Sequence, residues 1–177
     1  MRLTLDELNS LSRVAAARVL YACGGNGRWV DAMLARRPFA SVAAVLDACD
    51  AAWRDTGPND WREAFAGHPR IGERIPENRR PEDRGPNWSA AEQSGMDAAD
   101  AAKRSALAQG NREYEERFGH IFLVYASGKG AAELLELMRR RMRNAPDEEL
   151  AVAGEELRKI ARVRLEKLIG VREGAPR

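Results

Sequence analysis

The sequence is poor in aromatic residues and cysteine, and it has no long apolar run. Aromatic residues make up 6% of its 177 residues, while alanine, leucine, arginine and glutamate dominate, which favours helices over strands. The two cysteines, Cys23 and Cys49, form neither a C-x-x-C motif nor a Cys/His cluster, so neither a zinc site nor a disulfide framework is indicated. No window approaches the roughly 18 apolar residues of a membrane span, and the residues after Met1 lack the apolar run of a secretory signal. We therefore expect a metal-free cytoplasmic protein that does not interact with membranes.

The charge of the chain is nearly balanced. Its net charge is +2, from 29 basic and 27 acidic residues, whereas a dedicated nucleic-acid-binding domain is usually more basic. The hydrophobic fraction of 44% and the charged fraction of 32% are typical of a globular chain. Because the length suits one domain, we predict a single compact all-α helical bundle over residues 1–177, with no nucleic-acid partner.

Apolar periodicity and breaking residues predict helices along most of the chain. Ser41 and Asp60 are candidate N-caps, and Gly110 is expected to break a helix. The strand-like run at 121–125 has no partner strand, so we expect a buried, extended or irregular segment there. One predicted helix ends at Gly24-Gly25. The others cover 29–36, 42–53, 61–66, 89–109, 112–118, 131–143 and 147–169.

Residues 67–88 form a predicted long loop. They contain four prolines and three glycines within 22 residues, which forbids a regular helix. A loop of this length within a compact domain is usually functional or disordered. We therefore expect a Pro/Gly-rich active-site loop in this region.

His68 lies at the start of this loop. Pro69 biases it away from helical backbone geometry. A histidine fixed in one position is a good acid or base near neutral pH. The alternative is an exposed or capping histidine without a chemical role. The residue type alone does not decide between these interpretations.

Ser89 to Gln93 match the S-x-x-E pattern of a capping box. In such a box the Ser89 side-chain oxygen accepts a hydrogen bond from the amide three residues on, and the Glu92 side chain accepts one from the Ser89 amide. This alone would explain both residues structurally. The same helix start is favourable for an anion, and its carboxylate could face a substrate and pair with His68. The two interpretations are compatible.

Arg164 is predicted to lie on the buried face of the last helix. At 100° per residue it falls about 20° from Leu157, within the stripe that also contains Ile160, Ala161 and Leu168. A buried guanidinium needs an anion or acceptor. A buried salt bridge, an arginine whose stem lies along the core, and a fork for a substrate carboxylate or ureido oxygen all remain open.

Arg139 to Arg143 form a basic cluster at a helix C-terminus. It is most simply a solvated helix end, where positive charges interact favourably with the helix macrodipole. A helical interaction module that binds an acidic partner or RNA through this cluster is the alternative function. No Gly-rich phosphate loop, nucleophile elbow or H-E-x-x-H motif occurs in the sequence.

Three ordered motifs resemble the signature stretches of the OHCU (2-oxo-4-hydroxy-4-carboxy-5-ureidoimidazoline) decarboxylase family. They are His68-Pro69-Arg70-Ile71-Gly72-Glu73, Ser89-Ala90-Ala91-Glu92-Gln93 with Gly95, and the stretch from Asn111 to Phe122 that reads NREYEERFGHIF. The resemblance extends to Trp29-Val30 and Arg37-Pro38-Phe39, and to the C-terminal helices. It therefore covers nearly the whole chain.

The resemblance implies an all-α homodimer that converts OHCU to (S)-allantoin and carbon dioxide without a cofactor. It implies that His68 and Glu92 are catalytic. It further implies that substrate contacts come from four parts of the chain: Pro69; Ser89, Ala90, Ala91, Glu92 and Gln93; His120, Ile121, Phe122, Leu123 and Val124; and Arg164.

Overall fold

The structure, a computed structural model, describes residues 2–71 and 101–170 of the chain. Within these residues the chain forms helices and no strand, so the predicted all-α class is confirmed. No helix in this described part is long and apolar enough to cross a membrane. The helices are α1 (Leu5–Ser10), α2 (Arg13–Gly24), α3 (Gly27–Ala35), α4 (Val42–Arg54), α5 (Pro58–Ala66), α6 (Ala101–Phe118), α7 (Ala131–Arg141) and α8 (Pro146–Leu168).

Internal contacts divide the chain into two compact units. The first unit comprises the residues before Phe65 together with those from Leu157 onward, and the second comprises Phe65–Glu156. Helix α8 therefore contributes residues to both units. The single domain expected for residues 1–177 stays a prediction.

The first unit is a set of short helices with side-chain caps. Helix α3 packs between α2 and α4, and Leu20, Trp29, Met33, Val45 and Cys49 are completely buried. The N-caps of α1 to α4 each accept a hydrogen bond from the amide three residues on, which satisfies one of the free N–H groups of the helix start. These caps are Thr4, Ser12, Asn26 and Ser41.

Two predicted boundaries in the first unit are wrong. The helical run ending at Gly24 is divided in two, because Leu11 closes α1 and Ser12 caps α2. Helix α5 begins at Pro58 rather than after a cap at Asp60, because proline fits the first helical position, where no amide donor is needed. Asp60 instead accepts a hydrogen bond from the amide of Gly57 at 2.9 Å.

The second unit packs α6 and α7 around an extended segment. Leu107 and Tyr114 of α6, Leu134 and Met138 of α7, and Phe122 of the segment are all buried in one core. Residues 121–126 have no regular secondary structure, and Phe122, Leu123 and Val124 are buried, which confirms the predicted buried, extended or irregular segment.

The prediction that Gly110 breaks a helix is wrong, because α6 continues through it to Phe118. A Cβ at position 110 would lie 2.4 Å from Sδ of Met138. Gly110 therefore serves the close approach of α7 and not a turn. The actual stop is Gly119, whose positive φ of 72° lets the chain leave the helix.

Candidate active site

His68 lies in the turn that follows α5. Its amide donates a hydrogen bond to the carbonyl of Phe65 at 3.0 Å, and its side chain is half-buried. The following Pro69 is also half-buried. The predicted position of His68, at the exit from a short helix and the start of a non-helical stretch, is confirmed.

Helix α6 anchors the residues that follow His68. Nε and Nη2 of Arg70 donate to the two carboxylate oxygens of Glu115 at 2.6 and 2.9 Å, the paired geometry in which an arginine holds a carboxylate best. Nδ2 of the buried Asn111 donates to the carbonyl of Ile71 at 3.0 Å, and Ile71 itself is a core residue. The chain leaving His68 is therefore fixed by two side chains of one helix.

The segment from His120 to Val124 lies beside the same helix. The His120 ring is buried among aromatic side chains, with ring centroids 5.2 Å from Phe65, 5.6 Å from Tyr114 and 6.1 Å from Phe118. Phe65 thus touches both predicted stretches, because its carbonyl accepts the His68 amide and its ring packs on His120. Two of the four predicted site stretches therefore each contact Phe65, within the second unit.

The backbone of this segment has donors with no acceptor in the described part of the chain. Among residues 2–71 and 101–170, no acceptor receives a hydrogen bond from the N–H groups of Ile121 to Val124, whereas the next amide, of Tyr125, donates to Glu156 at 2.8 Å. Buried backbone donors in proteins are nearly always paired. Backbone N–H groups without a protein acceptor can donate hydrogen bonds to the carbonyl or carboxylate oxygens of a small polar molecule.

A buried polar network lies behind the segment. Arg141 donates from Nε to Glu149 at 2.7 Å and from Nη1 to the carbonyl of Leu123 at 2.8 Å. The Tyr114 hydroxyl donates to the same Glu149 carboxylate, and Asn144 donates to its other oxygen at 2.7 Å. Burial raises the pKa of the Tyr114 phenol well above its ordinary value, so Tyr114 remains a neutral donor.

Arg164 lies in the first unit, on the buried face of α8. It is 7% exposed, and Leu157, Ile160, Ala161 and Leu168 of the predicted stripe are also buried, so its predicted position in an apolar stripe is confirmed. Two neighbouring arginines on α8 point elsewhere and bind Asp50. They are Arg158 and Arg162.

The second predicted stretch, Ser89 to Gln93 with Glu92, lies outside the described residues. The roles of Glu92, Arg164 and the other predicted substrate contacts stay predictions. Within the described ranges no group of three histidine, cysteine or acidic side chains is arranged to hold a metal ion.

The basic cluster at the end of α7 is only partly a solvated helix end. Arg139, Arg140 and Arg143 are exposed, but Arg141 is 6% exposed and belongs to the buried network. Sequence reasoning missed this residue, and also Tyr114 and Glu149. The available signal was spacing, since Leu134, Met138 and Arg141 follow one another at four and three residues on one helix face.

These features define a helical protein with a histidine-bearing turn beside an extended, buried segment. The chain belongs to the OHCU decarboxylase family, whose model matches residues 9–166. Uric acid degradation bifunctional protein TTL of Arabidopsis thaliana is 32% identical over 146 residues, covering 82% of this chain and 45% of the plant protein. This chain therefore spans less than half of that relative.

A relative of similar length and a solved structure agree with this assignment. The 2-oxo-4-hydroxy-4-carboxy-5-ureidoimidazoline decarboxylase of Halalkalicoccus jeotgali is 24% identical over 176 residues, covering 98% of this chain and 96% of the relative. A crystal structure of OHCU decarboxylase in the presence of (S)-allantoin has a TM-score of 0.72 and 30% identity, covering 85% of this chain and 96% of that one.

Proposed function

We propose that this chain catalyses the cofactor-independent decarboxylation of OHCU to (S)-allantoin and carbon dioxide in uric acid degradation. The observation that carries the proposal is that Phe65 contacts both His68, through its carbonyl, and His120, through its ring, in a chain whose family match spans both stretches. The name of the Halalkalicoccus jeotgali relative gives the same reaction, and the name of the Arabidopsis relative supports a place in uric acid degradation.

The substrate supplies its own electron sink. The bond between the ring carbon and its carboxylate breaks, and the electron pair moves toward the adjacent ring C=N bond while carbon dioxide leaves. The enediol-like intermediate then takes one proton on one face, which gives a single enantiomer. The protein needs only to position the substrate, polarise it and deliver that proton.

In this proposal each predicted residue has a separate role. His68 manages the substrate hydroxyl or returns the proton, because a half-buried imidazole in a fixed turn can transfer a proton near neutral pH. Glu92 holds His68 or the ureido group, and Arg164 binds an anionic or carbonyl oxygen. Amides of the segment at 120–124 donate to further substrate oxygens.

The decisive test follows freshly prepared substrate by ultraviolet absorbance and circular dichroism, with and without protein. We expect the protein to accelerate decay and to give one hand of allantoin. The variant His68→Asn should fold and lose about 10²–10⁴-fold in kcat, because asparagine can form hydrogen bonds but cannot transfer the proton. A folded His68→Asn protein with full turnover would falsify the assignment of His68.

A matched control addresses the interaction-module alternative. The double variant Arg139→Gln, Arg140→Gln removes two exposed charges of the basic cluster. We expect its kcat and KM to equal those of the unmodified protein, since neither side chain belongs to the proposed site. A chain that leaves the substrate decay rate unchanged and binds RNA through this cluster would replace the decarboxylase proposal.

The homodimer and the cytoplasmic location implied by the resemblance are likewise proposals. Light scattering after size-exclusion chromatography tests the first. A mass of one chain at micromolar concentration would exclude the homodimer.

A further inference from the structure

The buried network of Tyr114, Arg141 and Glu149 has a structure that core packing does not require. Glu149 is completely buried, and its carboxylate accepts hydrogen bonds from Arg141, Tyr114 and the half-buried Asn144. A buried ion pair is often no more stable than apolar side chains of the same volume. Stability alone therefore does not explain why an ion pair is buried at this position.

The network holds the backbone of the extended segment. Nη1 of Arg141 donates to the Leu123 carbonyl at 2.8 Å, and the Arg141 guanidinium lies 4.8 Å from the Phe122 ring centroid. The Tyr114 ring meets the rings of His120 and Phe122 edge-on, at 5.6 and 5.2 Å. Side chains of α6 and α7 thus contact the segment at His120, Phe122 and Leu123, and within the described residues the segment pairs with no strand.

Arg141 is the only member of this trio that reaches the segment's backbone, within the part of the chain that the structure describes. Its Nε and Nη2 are used by Glu149 and the Tyr114 hydroxyl, so its plane is set by the network and its Nη1 points at Leu123. A lysine would keep the charge but could not span the carboxylate and the carbonyl together.

We propose that Arg141, held by Glu149 and Tyr114, is a positioning residue for decarboxylation. It fixes the peptide of Leu123, and with it the neighbouring amides that have no acceptor among residues 2–71 and 101–170, in the geometry that binds the substrate. This inference rests on the proposed function, because it assumes that the segment at 120–124 contacts the substrate. Arg141 itself does not touch the reacting atoms.

The first experiment compares Arg141→Lys with Asn144→Ala. Both remove hydrogen bonds to Glu149, but only the first loses the Leu123 contact. We expect KM to rise about tenfold in Arg141→Lys with kcat changed less than about threefold, because lost ground-state contacts appear in KM. Asn144→Ala should keep both constants within about twofold.

A second measurement reads the segment directly. Hydrogen exchange of the peptide that covers the segment and the hydrogen-bonded Tyr125 amide, followed by mass spectrometry, should accelerate about tenfold in Arg141→Lys and remain unchanged in Asn144→Ala. Unchanged exchange together with an unchanged KM in Arg141→Lys overturns the inference. If exchange is faster in Arg141→Lys but the unmodified chain does not decarboxylate OHCU, the proposed function is overturned instead.

An apolar replacement separates positioning from stability. The triple variant Tyr114→Phe, Arg141→Met, Glu149→Leu removes all buried charges of the network and keeps similar volume, a change that generally preserves folding. We expect a folded protein whose KM stays about tenfold raised. A folded triple variant with the KM of the unmodified chain would show that the network contributes stability alone, and the inference would be wrong.

Discussion

The two units of this chain place their charged groups differently. In the first unit, Asp50 accepts hydrogen bonds from Arg158 and Arg162, and all three side chains are about a quarter exposed. In the second unit, the side chains of Arg141 and Glu149 are 7% and 0% exposed and are surrounded by the core. Water can replace a lost partner at the edge of the first unit, but it cannot do so in the interior of the second. An arginine–carboxylate contact therefore has different consequences in the two units.

Removing the acidic partner in each unit tests this difference, and it should give the largest effect. Glu149→Ala leaves the Arg141 guanidinium buried without its counterion, so we expect a loss of about 3–5 kcal/mol in the free energy of unfolding. Asp50→Ala should lose about 1 kcal/mol, because its two arginines are partly solvated. Urea unfolding measures both. Equal losses would contradict the contrast.

Close packing at one glycine in each unit gives a second comparison. A Cβ would lie 2.4 Å from the Trp29 ring at Gly24 and 2.4 Å from Sδ of Met138 at Gly110. The fused ring of Trp29 is completely buried and rigid, whereas a methionine can change rotamer. We expect Gly24→Ala to lose about 3 kcal/mol and Gly110→Ala about 1 kcal/mol or less, after the helix propensity of alanine is included. Thermal unfolding of the two variants measures the order, and the reverse order would show that α7 packs more rigidly than α3.

Alkaline pH sharpens the comparison through one group in each unit. Burial raises the pKa of the Cys49 thiol from 9.0 to about 12, and burial also raises that of Tyr114. A raised folded-state pKa gives stability that is complete below the unfolded pKa and is lost as pH rises. We therefore expect ionisation of Cys49 in the unfolded chain to lower the free energy of unfolding by about 1.4 kcal/mol for each pH unit between about 9 and 12. Tyr114 should lower it similarly above about pH 10.

Two variants assign this loss. Cys49→Ala should flatten the dependence of unfolding free energy on pH from about pH 9, and Tyr114→Phe should flatten it from about pH 10. The slopes are compared and not the absolute stabilities, because each substitution also changes packing. A Cys49→Ala slope that matches the unmodified chain would mean that the thiol ionises in the folded protein as it does in the unfolded one.

The sequence predicted the positions of single residues better than their partners. Arg164 and the run at 121–125 were placed correctly, since burial on one helix face and the absence of a second strand can both be read from local pattern. The pairing of Arg141 with Glu149 could not be read in this way. These residues are eight positions apart across a turn, and nothing local distinguishes Arg141 from the exposed Arg139, Arg140 and Arg143 except its spacing from Met138.

Local breakers were also overruled by packing. Gly110 disfavours a helix on propensity, yet α6 continues through it because the missing side chain admits Met138. The contact of Phe65 with His120 joins residues 55 positions apart, so no local pattern could show it. The resemblance identified both stretches, but only the fold explains why they are adjacent.

The spacing along α6 has a consequence for how this protein can change in evolution. Asn111 holds the Ile71 carbonyl and Tyr114 packs on His120, three residues apart on one helix. One inserted or deleted residue between them would rotate one contact about 100° away from the other. We therefore expect insertions and deletions to be excluded from this turn of α6, because its register sets the positions of Ile71 and His120 relative to each other.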